Sequence, residues 1–430
     1  MAVTGRCALL ALLGLVPVAL WPGPVALVGW LAVVAVAVLV DLLLAGSPRA
    51  VQVTRVDPGS VRLGEPIDTA LTLRNAGRRR VRGVARDAWQ PSAGAGAARH
   101  PVNLPAGERV RLVTRLRPTR RGDRLVSHVT IRSLGPLGVA ARQVSLAAPG
   151  RVRVLPPFTS RRHLPSKLAQ LREIDGRTAL RARGQGTEFD SLRDYVIGDD
   201  VRSIDWRATA RRQQVVVRTW RPERDRRVLL LLDTSRTAAA RVGDAPRLDT
   251  AMDAALLLAA LAARAGDRVD LLAMDRRVRA RVEGTNRERL LPSLVEAMAP
   301  LEPDLVEADW TGIVAAIRQR LSHRALVVLL TSLDAAAVEE GLLPVVQRLT
   351  SHHRVVVASV ADPRLAEMAA GRQDAYAVYG AAAAQRAALE RAATTVELGR
   401  LGVDVVEAFP AELPPKLADR YLALKAAGLL

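Results

Sequence analysis

Val228-Leu229-Leu230-Leu231-Leu232 runs directly into Asp233-Thr234-Ser235-Arg236-Thr237. Five unbroken apolar residues with charge on both sides suit a strand covered on both faces. In an open parallel sheet, ligands bind beyond the carboxyl ends of the strands. Asp233, Ser235 and Thr237 stand at such an end. They offer one carboxylate and two hydroxyls, hard oxygen donors of the kind Mg²⁺ accepts. The same residue types also turn a chain and cap the next helix, and that reading stands beside the first.

Downstream the pattern alternates between helix and strand. Leu248 to Ala265 reads as a helix ended by Gly266-Asp267. Val269 to Met274 reads as a strand ending at Asp275, and Arg287 to Met298 and Trp310 to Leu321 as helices. Ala325 to Leu330 is a second fully apolar strand, ending at Thr331-Ser332-Leu333-Asp334. Val338 to Leu349 is helical, Val355 to Val360 is a strand ending at Asp362, Val403 to Ala408 is a late strand, and Leu413 to Ala426 is a closing helix. Such alternation predicts a mostly parallel sheet with helices on both faces, hence an α/β class. Asp275 and Asp362 read as acceptors for loop backbone.

Upstream the period changes. Val110, Leu112, Thr114 and Leu116 alternate with Arg111, Val113, Arg115 and Arg117, and Leu125, Val129 and Ile131 share a face. Turn signals recur at Asp57-Pro58-Gly59, Asn75-Ala76-Gly77, Ala106-Gly107 and Gly135-Pro136-Leu137-Gly138. Short alternating runs between turns predict a small β-sandwich over 50–155. Residues 156–227 form a connector that opens basic and partly helical. Residues 228–430 form the α/β domain.

The first 46 residues read as a two-segment membrane anchor. Cys7 to Trp21 is apolar, Pro22-Gly23-Pro24 breaks the chain, and Val25 to Leu44 is apolar with one charge, Asp41. The second segment is long enough to span a bilayer. The first is short, and with Arg6 ahead of it a signal peptide is the competing reading. Basic residues (Arg6, Arg49, Arg55) flank the pair and none lies in the turn. The positive-inside rule then predicts a hairpin in the cytoplasmic membrane, with the soluble domains facing the cytoplasm. Asp41 reads as paired or snorkelling near the interface.

Composition limits the function classes. The one cysteine, Cys7, excludes an intrachain disulfide. The net charge of +20 is carried almost wholly by arginine, since Lys167, Lys416 and Lys425 are the only lysines. No Cys/His finger or aromatic-basic signature accompanies it, so no nucleic acid is expected. An anionic lipid surface stays open. There is no Gly-x-x-x-x-Gly-Lys-Ser/Thr loop, no His-Glu-x-x-His helix and no Gly-x-Ser-x-Gly elbow. The chain is therefore read as no enzyme, and ATP hydrolysis by the chain alone is not expected.

Between the two folded regions lies a long charged and aromatic run. It contains Gly186-Thr187-Glu188-Phe189, Leu192-Arg193-x-Tyr195, Gly198-Asp199-Asp200-x-Arg202-x-Ile204-Asp205-Trp206 and Ala210-Arg211. This run resembles the signature of the domain of unknown function 58 family. The region after it is similar to the von Willebrand factor type A fold, a doubly wound, mostly parallel sheet. That resemblance implies a membrane protein working with a MoxR-type AAA+ ATPase in the assembly or maturation of a protein complex. It also implies a metal-ion-dependent adhesion site holding Mg²⁺. Asp233, Ser235 and Thr237 match its first loop, Thr311 is the candidate from its second, and Ser332 stands where its third loop usually carries an acid. Losing that charge weakens the expected site.

Within the signature, Asp199, Asp200, Arg202, Asp205 and Arg211 form the candidate partner-binding set. The competing reading is an ion-pair lattice pinning the connector to the sheet, with Trp206 and Tyr195 as packing anchors. Three function classes follow: a membrane-anchored interaction or scaffold module serving an ATPase, a basic binder of anionic lipid or nucleic acid, and an unrecognised hydrolase.

Overall fold

The computed structural model describes residues 1–181, 188–221, 226–284 and 286–430. Two compact units divide the chain, Met1–Leu155 and Pro156–Leu430.

The first unit opens with a two-residue strand β1 (Ala2–Val3), then helices α1 (Gly5–Leu13), α2 (Leu15–Leu20) and α3 (Pro24–Leu44). Pro24 sits at the start of α3, where its missing N–H costs nothing. Helix α3 is long and apolar enough to cross a membrane, and only 6% of its apolar window is buried. The shorter apolar stretch Gly5–Leu20 packs back along it. The Trp30 indole Nε1 donates to the Leu10 carbonyl (3.0 Å).

Eight strands follow: β2 (Val51–Val56), β3 (Gly59–Arg62), β4 (Ile67–Asn75), β5 (Val81–Asp87), β6 (Arg99–Leu104), β7 (Arg109–Leu116), β8 (Gly122–Leu134) and β9 (Ala140–Leu155). One sheet has the order β1-β9-β8-β5-β6 with β3 beside β9, and the other the order β2-β4-β7. Leu71, Leu73 and Leu112 from the three-stranded sheet meet Val81, Val102, Val129 and Ile131 from the larger one in a common core. That is the inward half of the period-2 pattern. Inside this unit Arg55 is buried against Asp87 (2.6 Å) and lies 5.2 Å over the Trp89 ring. Trp89 donates to the same carboxylate, so the buried charges are satisfied.

The second unit begins with α4 (Leu164–Arg181), the antiparallel pair β10 (Glu188–Asp194) and β11 (Val216–Arg221), and α5 (Trp206–Arg212) between those strands. Then come β12 (Arg227–Asp233), the short α6 (Arg236–Ala239), a two-residue ladder of β13 (Arg241–Val242) and β14 (Ala245–Pro246), and α7 (Arg247–Arg264). The remainder comprises β15 (Arg268–Met274), β16 (Val278–Val282), α8 (Arg287–Met298), α9 (Trp310–Arg320), β17 (Leu326–Leu330), α10 (Ala335–Ala337) and α11 (Leu343–Thr350). It closes with β18 (Arg354–Val360), α12 (Pro363–Ala369), α13 (Ala375–Arg400), β19 (Val403–Ala408) and α14 (Leu413–Ala426).

The central sheet has the order β16-β15-β12-β17-β18-β19. All its pairings are parallel except β15 with β16 at the edge. Strand β12 lies inside it and is buried from Val228 to Asp233. Leu229 and Leu231 join Ile313, Val314 and Ile317 of α9 and Val346 and Leu349 of α11 in one core. Alternation turns Leu230 and Leu232 the other way, and α7, buried from Ala254 to Ala263, packs against β12, β15 and β18. The apolar run therefore is a strand covered on both faces.

Candidate functional site

The parallel register builds the strand-end site. Leu232 lies opposite Leu330 and Asp233 opposite Met274. The residues that follow these pairs are thus neighbours. The Thr331 hydroxyl donates to Asp233 Oδ2 (2.6 Å) and the Thr234 hydroxyl to Asp275 Oδ2 (3.0 Å). Asp233 also accepts from the Ser235 N–H at Oδ1 (2.8 Å) and the Thr237 hydroxyl at Oδ2 (3.1 Å). Ser235 and Thr237 hydroxyls are 3.2 Å apart. Asp233, Ser235, Thr237, Thr331 and Ser332 line one cavity of about 250 Å³.

Thr311 does not join them. It is exposed on the first turn of α9, where the Asp309 carboxylate caps the Gly312 N–H, and the cavity is reached there by Trp310 instead. The hydroxyl that meets Asp233 is Thr331. Its signal in the sequence was its place directly after an apolar run, matching that of Asp233 after residues 228–232.

A second feature escaped the sequence. Arg247, the first residue of α7, donates from Nη1 to the Ser332 hydroxyl (3.0 Å). Its Nε is buried without a hydrogen-bond partner. Burial pushes the Arg247 pKa down, while Asp362, Asp334 and Glu407 act against that, and Arg391 adds to it. Arg247 shares with Asp233, Thr237, Thr331 and Ser332 a cavity of only about 10 Å³, the room of about one water molecule. On the open side, Arg236 is paired with Glu307, which raises its pKa.

The resemblance implies Mg²⁺ here, and the donor set does not fit it. The cluster supplies one carboxylate, Asp233, already accepting three hydrogen bonds. Among the described residues no three acids, histidines or cysteines converge to hold a metal ion. A guanidinium occupies Ser332. Mg²⁺ dehydrates reluctantly and needs carboxylate charge to do so.

Asp275 and Asp362 serve backbone, as their positions suggest. Asp275 accepts from the N–H groups of Arg276 (2.6 Å) and Arg277 (3.1 Å), and Asp362 caps α12 at the Arg364 N–H (2.9 Å).

Gly186-Thr187 of the signature lie within 182–187, outside the described residues. The rest forms β10, β11 and the connection between them. Asp199 accepts two bonds from Arg193 (2.8 and 2.6 Å) and one from the Val196 N–H (2.9 Å). Asp200 caps the Arg202 N–H (2.9 Å). Asp205 caps α5 at the Ala208 N–H (2.9 Å) and accepts from Arg218 Nε (2.8 Å). Hydrogen bonding holds the pKa of Asp199 and Asp205 below the usual carboxylate range, mainly from Arg193 for the first and from the Ala208 N–H for the second. Among the described residues these bonds stay within residues 193–218, so there the aspartates brace the connection itself. Arg202 and Arg211 are exposed, as are Arg207 and Arg212.

Trp206 is no packing anchor: it is 69% exposed, and Ile197 is 96% exposed. Val196, Val201 and Val215 are exposed as well. Tyr195 and Asp205 donate their N–H groups to Val215 and Val216, so these apolar residues gather at one end of the hairpin. Tyr195 is half-buried.

The profile of the family described as "Protein of unknown function DUF58" matches residues 191–396, which takes in most of the signature and much of the sheet. An uncharacterized protein of Mycobacterium tuberculosis (strain ATCC 25618 / H37Rv) is 28% identical over 189 residues. One of Mycobacterium bovis (strain ATCC BAA-935 / AF2122/97) matches equally. Each match spans 43% of this chain and 58% of the relative's length. Among solved structures, the SpRpn10 VWA domain aligns at 11% identity and a TM-score of 0.27, covering 45% of this chain and 94% of that one. A PapD-like domain of human CEP192 aligns at 12% identity and 0.17, covering 25% and 89%.

Proposed function

We propose that this chain is a membrane-anchored interaction module, not an enzyme, which works with a MoxR-type AAA+ ATPase in assembling or maturing a protein complex. In this reading the second unit is a doubly wound, von Willebrand factor A-like domain whose adhesion site has lost its metal function, and both soluble regions face the cytoplasm. The observation that carries it is the hairpin of the signature. A protein gains nothing in stability from a tryptophan and an isoleucine held in water, and exposed apolar side chains ringed by charge mark interaction sites. Here the aspartates fix the shape while Trp206, Ile197, Arg202 and Arg211 face outward. The identity of the ATPase rests on the family resemblance.

The test is co-purification of the full chain from native membranes, in wild type and in Trp206→Ala with Ile197→Asp. An AAA+ ATPase should co-purify with the wild type and be lost from the variant, at an unchanged unfolding temperature. Equal recovery from both, or no ATPase with either, overturns the reading. The exposed arginines support one second reading, an anionic lipid surface. Vesicle binding through this hairpin would then weaken steeply with salt.

A further inference from the structure

We propose that Arg247 is the resident cation of the strand-end cluster: its guanidinium takes the place of a metal's charge and makes the site metal-independent. Four observations carry this. Nη1 of Arg247 holds the Ser332 hydroxyl at 3.0 Å. The residue is fixed at the start of α7, where its own N–H donates to the Ala240 carbonyl (2.9 Å), and α7 is the most deeply buried helix face of the sheet's surroundings, with Leu256 to Ala259 at zero exposure. The cavity shared by Arg247 and Asp233 has room for about one water molecule, so no hydrated ion fits between them, while the wider cavity of about 250 Å³ over Asp233, Ser235 and Thr237 is not lined by Arg247. The buried Nε lacks an acceptor, so the position carries a positive charge with a donor to spare.

The consequence concerns any carboxylate placed at position 332. Arg247 lies within reach of Ser332, and an arginine binds a carboxylate through two parallel N–H···O bonds. A new acid there would pair with Arg247 and close the site further. It would not recruit a metal. Only removal of the guanidinium together with addition of the acid would leave two carboxylates, at 233 and 332, facing the hydroxyls of Ser235, Thr237 and Thr331. That set meets the demand of a divalent ion for oxygen donors and charge.

The probe is Mn²⁺, a paramagnetic stand-in for Mg²⁺, titrated against the full chain in nanodiscs and followed by electron paramagnetic resonance. The wild type and Ser332→Asp should show no saturable binding. The double variant Arg247→Leu with Ser332→Asp should bind one equivalent, at least about tenfold more tightly than either, and lose it when Asp233→Ala is added. Arg247→Gln with Ser332→Asp removes the charge but keeps a polar, though shorter, side chain, so it serves where the leucine variant does not unfold cooperatively. Saturable binding by the wild type that depends on Asp233 overturns the proposal. So does equal binding by Ser332→Asp and the double variants, or no binding by either double variant once folded.

Discussion

Asp275 shows how a single carboxylate at a strand end is used up by structure. Burial works against its charged form, but the bond from Arg279 (2.6 Å), with those from Arg277, Thr234 and Arg276, outweighs burial and holds its pKa below the ordinary value. A carboxylate whose folded pKa lies below its unfolded pKa, about 3.9, contributes stability that is present above that value. The contribution is lost as pH falls through the folded pKa. Asp275→Asn should therefore lower the unfolding temperature at neutral pH, and the gap to wild type should shrink on acidification below about pH 4. Parallel curves from pH 7 to pH 3 would show that the charge of Asp275 does not stabilise the fold. At this scale the sequence was legible where one strand decided the answer. Asp233 after a buried run, and acids at Asp275 and Asp362, could be read from position. The bond of Thr331 to Asp233 and the reach of Arg247 to Ser332 could not, because they depend on the register of β12 with β17 and on where α7 begins, facts about pairs of elements. Thr311 was placed in the site by a motif match along the chain, and such a match has no knowledge of which strands become neighbours.

Elements with one strong period were legible to within a residue or two, and Arg287–Met298, Val403–Ala408 and Leu413–Ala426 coincide with the sequence reading. Strand β16 and helix α13 were not. The first carries arginines at alternate positions, Arg279 and Arg281, on an edge, and the second is alanine-rich with few buried positions, so neither shows a sharp apolar stripe. The tie between α3 and the β8–β9 turn was hidden as well, since Asp41 looked like an interface residue. Its carboxylate is fully buried and accepts from the N–H groups of Leu137 (2.7 Å), Val139 (2.6 Å) and Ala140 (2.9 Å). The approach is so close that a Cβ on Gly135 would fall 2.3 Å from Asp41 Oδ1, which is why the turn needs a glycine there. Asp41→Ala should leave three backbone donors unmet, at about 1–3 kcal/mol for each that water cannot reach. Hydrogen exchange at Val139 and Ala140 should accelerate strongly, and Asp41→Asn, which keeps an oxygen acceptor, should do so less. Unchanged exchange in Asp41→Ala would mean that the turn holds without the helix.

Across the whole molecule, the helical arm leaves and returns on one side. Strand β1 pairs with β9 at Ala140 and Ala141, the Thr4 hydroxyl donates to the Gly138 carbonyl (2.6 Å), and Asp41 at the far end of α3 holds the same turn. Both ends of the arm are thus bound to one loop, and the Trp21–Pro24 bend lies at the other extreme. Helix α3 has 21 residues, and at 1.5 Å per residue it reaches roughly 31 Å, about the thickness of a bilayer's hydrocarbon core. Its side chains Val25, Leu27, Val28 and Leu31 stand more than half exposed, and apolar surface of that kind is better solvated by lipid than by water. In the proposed membrane reading the side is set by charge: Arg6, Arg49 and Arg55 flank the arm, and the bend carries none. Basic flanks stay on the cytoplasmic side, so a fluorescent protein fused after Leu430 should fold and fluoresce, while alkaline phosphatase at the same place should be inactive. Moving the balance should move the protein: three arginines placed in the bend would compete with the flanks and lower the fluorescent fraction. An active phosphatase fusion on the unaltered chain would reverse the topology, and with it the proposal that the exposed hairpin of Ile197 and Trp206 meets a cytoplasmic ATPase.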